Sequence, residues 1–174
     1  KAVLSQYGHM IEETIRCANA YDPYMAYINP SSMYSATIKT SLENARDGYG
    51  GGVKFNNSAV LNCGLGTAVD AIMAIYEIVY EKNIISLEEF KTILDQNWEG
   101  HDILRLNALK SKRKYGTNDA ITDAYAAEIS KFFCDRVNGR KNGRGGVYKA
   151  TLHSAMQFVW HGEKTEATPD GRRM

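Results

Sequence analysis

The sequence is poor in the features that mark secreted, membrane-spanning or nucleic-acid-binding chains. Its three cysteines, Cys17, Cys63 and Cys134, lie far apart, and none sits in a C-x-x-C. Their odd number argues against a disulfide framework and for a reducing compartment, with the thiols as small buried apolar groups rather than zinc ligands. Charge of one sign is missing too. With 21 basic and 20 acidic residues the formal net charge is +1, which gives no global field to draw nucleic acid or an anionic membrane surface. The apolar runs are broken by charge well before membrane-spanning length, and the N-terminus carries no signal-peptide pattern. A soluble, cytoplasmic protein is expected, with neither nucleic acid nor membrane as partner.

What the chain does have is tyrosine, eleven against five phenylalanines and two tryptophans. Tyrosine favours half-buried places where its ring packs and its hydroxyl finds a partner, as in an extensive interface or a polar-lined cavity. The 174 residues fit one domain of ordinary size. Both ends look abrupt, and a piece of something larger is expected. Asn62 to Tyr80 organises the rest. There Gly64 and Gly66 precede a long helical pattern with Val69, Ile72, Met73, Tyr76 and Val79 at spacings of three and four. Thr67 is its expected N-cap, and Ile72, Tyr76 and Val79 its buried residues. One G-x-G with no lysine partner is weak ground for a phosphate cradle.

Taken in order, Val3, Tyr7, Met10, Ile11, Ile15 and Ala18 mark one face of a first helix, which Pro23 ends. Asn29 before Pro30 reads as an N-cap with proline at the first helical position, opening a helix striped by Ile38, Leu42 and Ala45. Asp47 to Gly52 breaks it. Val53 to Asn57 and Ala59 to Cys63 are short enough to be buried strands. Ser86, three residues before Glu89, forms a capping box. Trp98, Ile103, Leu104, Leu106 and Leu109 suggest a short helix ending in Lys110, Lys112, Arg113 and Lys114, a solvated basic terminus. Thr117 or Asn118 caps the next helix, apolar at Ile121, Ala124, Tyr125, Ile129, Phe132 and Phe133 and stopping near Gly139. A basic, glycine-rich loop then leads into Val147 to Trp160, which alternates as strand or extended chain. That alternation puts Thr151, His153, Ala155 and Gln157 on one face. His153 has no matched acid and nucleophile, so no catalytic triad is assigned and no metal site either.

The last segment, Ala167-Thr168-Pro169-Asp170-Gly171-Arg172, is a proline-initiated turn that resembles the A-T-P-D-G-R signature of glycyl radical enzymes. Asn56-Asn57-Ser58, Asp70-Ala71-Ile72-Met73-Ala74-Ile75, Ser86-Leu87-Glu88, Lys114-Tyr115-Gly116 and Arg144-Gly145-Gly146 continue the likeness in order and spacing. On these strings the chain resembles an internal part of the pyruvate formate-lyase family, whose branches include choline trimethylamine-lyase, glycerol dehydratase and hydroxyproline dehydratase. Glu166 stands where that family has glycine, and Gly116-Thr117-Asn118 where it has G-N-D.

The resemblance implies an α/β fold, here mostly helical with a few short strands, belonging to a ten-stranded α/β barrel. Residues 1–174 would be an internal portion of the pyruvate formate-lyase domain, with no glycyl radical domain. The implied activity of the parent is radical cleavage of a C–C, C–N or C–O bond in a small polar metabolite, as a lyase or dehydratase. Its radical rests on a glycine in an R-V-x-G-Y loop, installed by a radical-SAM activating enzyme, and passes to a cysteine in a G-C-x-E loop. Neither loop occurs in these residues. Arg136-Val137-Asn138-Gly139-Arg140 imitates the first, but Arg140 replaces its tyrosine and the stretch lies upstream of A-T-P-D-G-R. No bound cofactor is expected. The implied partners are a small-molecule substrate, the remainder of the parent chain, the activase and a second copy in a homodimer. The resemblance also carries the segment after Arg144-Gly145-Gly146 to the substrate pocket at His153 and Ala155, and alternation adds Thr151 and Gln157. The alternative is a non-catalytic helical interaction or scaffold protein with the same pattern. The 174 residues alone should show no lyase activity, and anaerobic incubation with a radical-SAM activase should yield no glycyl doublet by electron paramagnetic resonance; a doublet would refute this.

Overall fold

A computed structural model describes residues 1–153 and 158–174. The chain divides into two compact units, Lys1–Asn62 with Lys131–Thr151, and Cys63–Ser130 with Leu152–Met174. Among the described residues the secondary structure is mostly helical, with one two-stranded sheet. None of the described helices is long and apolar enough to cross a membrane.

The first unit is built on helix α1 (Ala2–Tyr21), whose Ile11 and Ile15 pack with Phe133 and Val137 of helix α8 (Ala120–Val137). Val60 of strand β1 (Ser58–Asn62) and Tyr148 of strand β2 (Tyr148–Leu152) complete that core. Spacings of four and three from Tyr7 through Ile11 and Ile15 to Ala18 explain the seam, because these positions share one helical face. Val3 and Met10, expected on that face, are exposed. Tyr7 stacks at 6.0 Å on Phe132, and burial, helped by the nearby Cys134, pushes its phenol up to about 12. The two strands begin side by side, with the Ser58 N–H donating to the Val147 carbonyl at 3.1 Å.

Between α1 and β1 the chain departs from expectation. Pro23 enters a 3-10 turn, Asp22–Tyr24, which runs into helix α2 (Met25–Ile28). Asn29 ends α2 instead of opening a helix, and Ser31 precedes helix α3 (Ser32–Ala36). Helix α4 (Lys39–Asn44) is separate from α3 because Ser35 and Thr37 turn their hydroxyls back onto the carbonyls of Ser31 and Tyr34, competing with the helical ladder. Leu42 is exposed and Ser41 buried, so the expected apolar stripe is absent. Asp47 gathers the region, accepting from the backbone N–H of Ser31 at 2.9 Å and of Tyr49 at 2.8 Å. Val53 to Asn57 is not a strand: the Asn56 carbonyl accepts from the Asn142 amide and the Asn56 side-chain amide donates to the Arg144 carbonyl, while Asn57 Oδ1 accepts from the Val147 N–H.

In the second unit, helix α5 (Leu65–Ile75) starts at Gly64, a left-handed residue, so Thr67 is not its cap. From Tyr76 to Glu81 the helix continues as π-helix. The wider turn breaks the 3.6-residue period, which carries Ile78 and Val79 inward and leaves Tyr76 39% exposed; Ile72 is half-buried. Glu77 and Glu81 brace the wide turn by ion pairs with Lys82 at 2.6 Å and Arg113 at 2.8 Å. Burial alone would raise the Glu77 pKa, but hydrogen bonds from Lys82 and Ser111 outweigh it and hold the carboxyl below its ordinary value. Helix α6 (Leu87–Asp95) has the Ser86–Glu89 capping box, and its Phe90 meets the fully buried Trp98 edge-on at 5.6 Å. Helix α7 (Asp102–Leu109) adds Ala108 to that core, whereas Ile103 and Leu109 are exposed. Asp119, not Thr117 or Asn118, caps α8, accepting from the Thr122 N–H and hydroxyl at 2.9 and 2.7 Å. Past the described part of the chain after β2, residues 158–164 form helix α9 (Phe158–Lys164), where extended chain was expected.

Met73 is 1% exposed, so Met73→Ala should cost about 2–5 kcal/mol in denaturant unfolding. Tyr76→Ala, on the face turned outward by the π-helix, should cost less than about 1 kcal/mol. Equal losses at the two sites would contradict the register described here.

Candidate functional site

The second unit contains a cavity of about 590 Å³ walled by the start of α5, by α9 and by the turn at residues 167–172. Cys63, Thr67 and Ala71 come from the α5 side, His161 and Thr165 from α9 and its end, and Thr168 and Arg172 from the turn. His153 also lines it. The wall thus carries two imidazoles, three threonines and a guanidinium among small residues; the Thr165 hydroxyl is bonded to the His161 carbonyl, whereas the Thr67 hydroxyl and the imidazoles face a space of small-molecule size.

The turn is held rigidly. Thr168 and Gly171 close it through the bonds Thr168 N–H to Arg172 carbonyl and Gly171 N–H to Thr168 carbonyl, both 3.1 Å. The Thr168 hydroxyl also meets the Asp170 carboxylate. Gly171 adopts φ +101°, and a Cβ there would fall 2.6 Å from Leu109 Cγ, so only glycine lets the turn lie against α7. Arg172 donates to the carbonyls of Gly162, Thr165 and Glu166 at 3.2, 2.6 and 3.0 Å, tying the end of α9 to the turn. Lys114 reaches the Asp170 carbonyl at 3.1 Å and Asp70 at 3.8 Å, and the Tyr115 N–H donates to Asp70 at 2.6 Å.

His153 is exposed and shares this cavity with His161. Thr151 is half-buried in β2, in the first unit. Ala155 and Gln157 lie outside the described residues. The Tyr148 hydroxyl donates to Asn19 Oδ1 at 3.0 Å. Sequence reasoning missed Arg172 and His161 as cavity residues. The signature turn contains Arg172, but nothing in its spacing shows the guanidinium folding back onto α9. Of the cysteines, Cys63 is an exposed cavity residue rather than a buried apolar group, Cys17 is exposed and Cys134 half-buried. Gly139 has φ +80° just past the end of α8, and its N–H donates to the Tyr148 carbonyl at 3.1 Å, a helix-ending role. Among the described residues no three His, Cys, Asp or Glu side chains gather as a metal ion would need.

A family model described as pyruvate formate lyase-like matches residues 1–162. The trans-4-hydroxy-L-proline dehydratase of Clostridioides difficile is 28% identical over 173 residues, covering 99% of this chain and 22% of its own length. The (2S)-3-sulfopropanediol dehydratase of Klebsiella oxytoca is 28% identical over 176 residues, covering 99% of this chain and 21% of its own. Hydroxyproline dehydratase from Clostridioides difficile, solved with trans-4-hydroxy-L-proline bound, superposes with a TM-score of 0.86 at 26% identity over 98% of this chain and 22% of that one. The glycerol-bound glycerol dehydratase from Clostridium butyricum gives 0.83 at 25% identity with the same coverages. The chain therefore spans 21–22% of the length of these relatives.

Gly171→Ala should lower stability by about 1–3 kcal/mol, through left-handed strain and the clash with Leu109. Thermal unfolding measures it, and an unchanged midpoint would mean the turn does not need its glycine.

Proposed function

Because this chain belongs to the pyruvate formate lyase-like family, we propose that it is one section of a glycyl radical lyase or dehydratase and that its second unit contributes part of the substrate pocket. The supporting observation is the cavity that joins His153 and His161 to Thr67, Thr165 and Thr168. Two of the similar proteins are named for hydroxylated substrates, a hydroxyproline and a sulfopropanediol, and a third was solved with glycerol bound. A hydroxylated metabolite fits this wall, since imidazole and threonine groups both donate to and accept from hydroxyls.

In this reading His153 orients a hydroxyl or carboxylate of the substrate, and the alternation of the sequence makes Thr151, Ala155 and Gln157 further candidates for substrate binding. A methyl at Ala155 leaves room where a larger side chain would not. The radical chemistry is supplied by glycine and cysteine loops that these residues do not contain. What this section does is bind, orient and exclude water, the positioning that makes a radical abstraction selective. The strands β1 and β2 would be neighbouring staves of the parent's barrel. The parent would act in the cytoplasm as a homodimer, with a radical-SAM activase as its partner.

The test is His153→Ala in the activated full-length enzyme. Turnover should fall about 100-fold while the glycyl radical signal and the thermal midpoint stay at wild-type values. Unchanged kinetics with lowered stability would assign His153 to packing and defeat the reading.

A further inference from the structure

The first unit holds a second concavity, of about 640 Å³, that shares no residue with the cavity of the second unit. Four cationic side chains line it, Arg46, Lys54, Lys141 and Arg144, and no Asp or Glu does. That is a local concentration of positive charge in a chain whose formal net charge is only +1. Two carboxylates of the same unit are already engaged. Asp22 lies 3.6 Å from Arg144 Nε, and Asp47 takes the N–H groups of Ser31 and Tyr49 and the Ser35 hydroxyl.

The cations differ in how they are held. Arg144 is fixed, its Nη2 donating to the Asn57 carbonyl at 3.3 Å and the Ser58 hydroxyl at 2.9 Å, with its guanidinium 5.4 Å from the Tyr49 ring centre. Lys54 lies 5.3 Å over the Phe55 ring. Arg46 and Lys141 are exposed, and their side chains make no hydrogen bond or ion pair among the described residues. Like charges gathered in a concave wall focus a positive potential and repel one another until an anion neutralises them. A mixture of one fixed guanidinium with free cations around it suits a ligand bearing several anionic oxygens, since the guanidinium supplies direction and the lysines supply charge. The volume is that of a small-molecule site, and the cations converge on one hollow instead of spreading along a face as a polymer would require.

We propose that this cavity of the first unit binds a small, multiply charged oxyanion, of phosphate or carboxylate chemistry. Binding to the full-length protein is measured by calorimetry with inorganic pyrophosphate and, separately, with citrate. At least one should bind, with affinity falling as salt rises, and the Arg46→Ala/Lys141→Ala double variant should bind it at least about tenfold more weakly at an unchanged thermal midpoint. Pyrophosphate binding without citrate assigns phosphate chemistry; citrate without pyrophosphate assigns carboxylate chemistry. A Lys54→Gln variant gives an independent check, with weakened binding expected there too. Absence of binding by both anions at millimolar concentration, or equal affinity in the folded variants, overturns the proposal.

Discussion

The start of the sheet depends on one buried amide. Asn142 is 8% exposed, and its Nδ2 donates to the Asn56 carbonyl at 2.7 Å and the Ser58 hydroxyl at 2.9 Å. Its Oδ1 accepts from the N–H groups of Arg144 at 3.2 Å and Gly146 at 2.7 Å. Both donors and both acceptor sites of the amide are therefore used, the state a buried polar side chain must reach if it is not to cost more than it contributes. The consequence is geometric. Asn142 locks the segment entering β1 to the loop entering β2, so that the strands begin in register. Gly146 completes the contact, because a Cβ there would sit 2.0 Å from the Asn56 carbonyl oxygen.

The short strings that carry the family likeness pair with one another in the same way. Asn56-Asn57-Ser58 meets Arg144-Gly145-Gly146 through the Asn56 amide on the Arg144 carbonyl at 2.6 Å and through Arg144 on Ser58. Asp70 meets Lys114-Tyr115. Pieces far apart in sequence are thus two halves of one hydrogen-bonded joint. These bonds satisfy backbone groups that must find partners when loops are buried.

What was legible in the sequence follows from range. The helix seam of α1, the capping box at Ser86 and the end of α8 near Gly139 are set within a turn or two of the chain, where spacing and capping chemistry decide. Failures came where distant partners decide. Val53 to Asn57 looks like a strand until Asn56 is claimed by a loop 86–88 residues away. Tyr76 belongs to a 3.6-residue stripe until ion pairs with Lys82 and Arg113 stabilise a wider turn. Of the site, alternation singled out His153, but His161, one residue past the stretch expected to be extended, was given no element. The helix that delivers it to the cavity, Phe158–Lys164, has no period-2 pattern that could reveal it.

Arg172 shows why the site's frame was the least legible part. The last carbonyls of a helix have no partner within it, and a C-cap residue or water usually serves them. Here one guanidinium takes the carbonyls of Gly162, Thr165 and Glu166 together. A planar fork with five donors can span three acceptors that a lysine ammonium, a single point on a flexible stem, would meet one arrangement at a time. The signature turn thereby acts as the cap of α9. Gly171 presses that turn onto α7, Thr168 closes it, and Arg172 passes the resulting position on to the helix bearing His161. Arg172 thereby fixes where an imidazole of the proposed pocket stands, because the helix that carries His161 is held at its end by the same guanidinium.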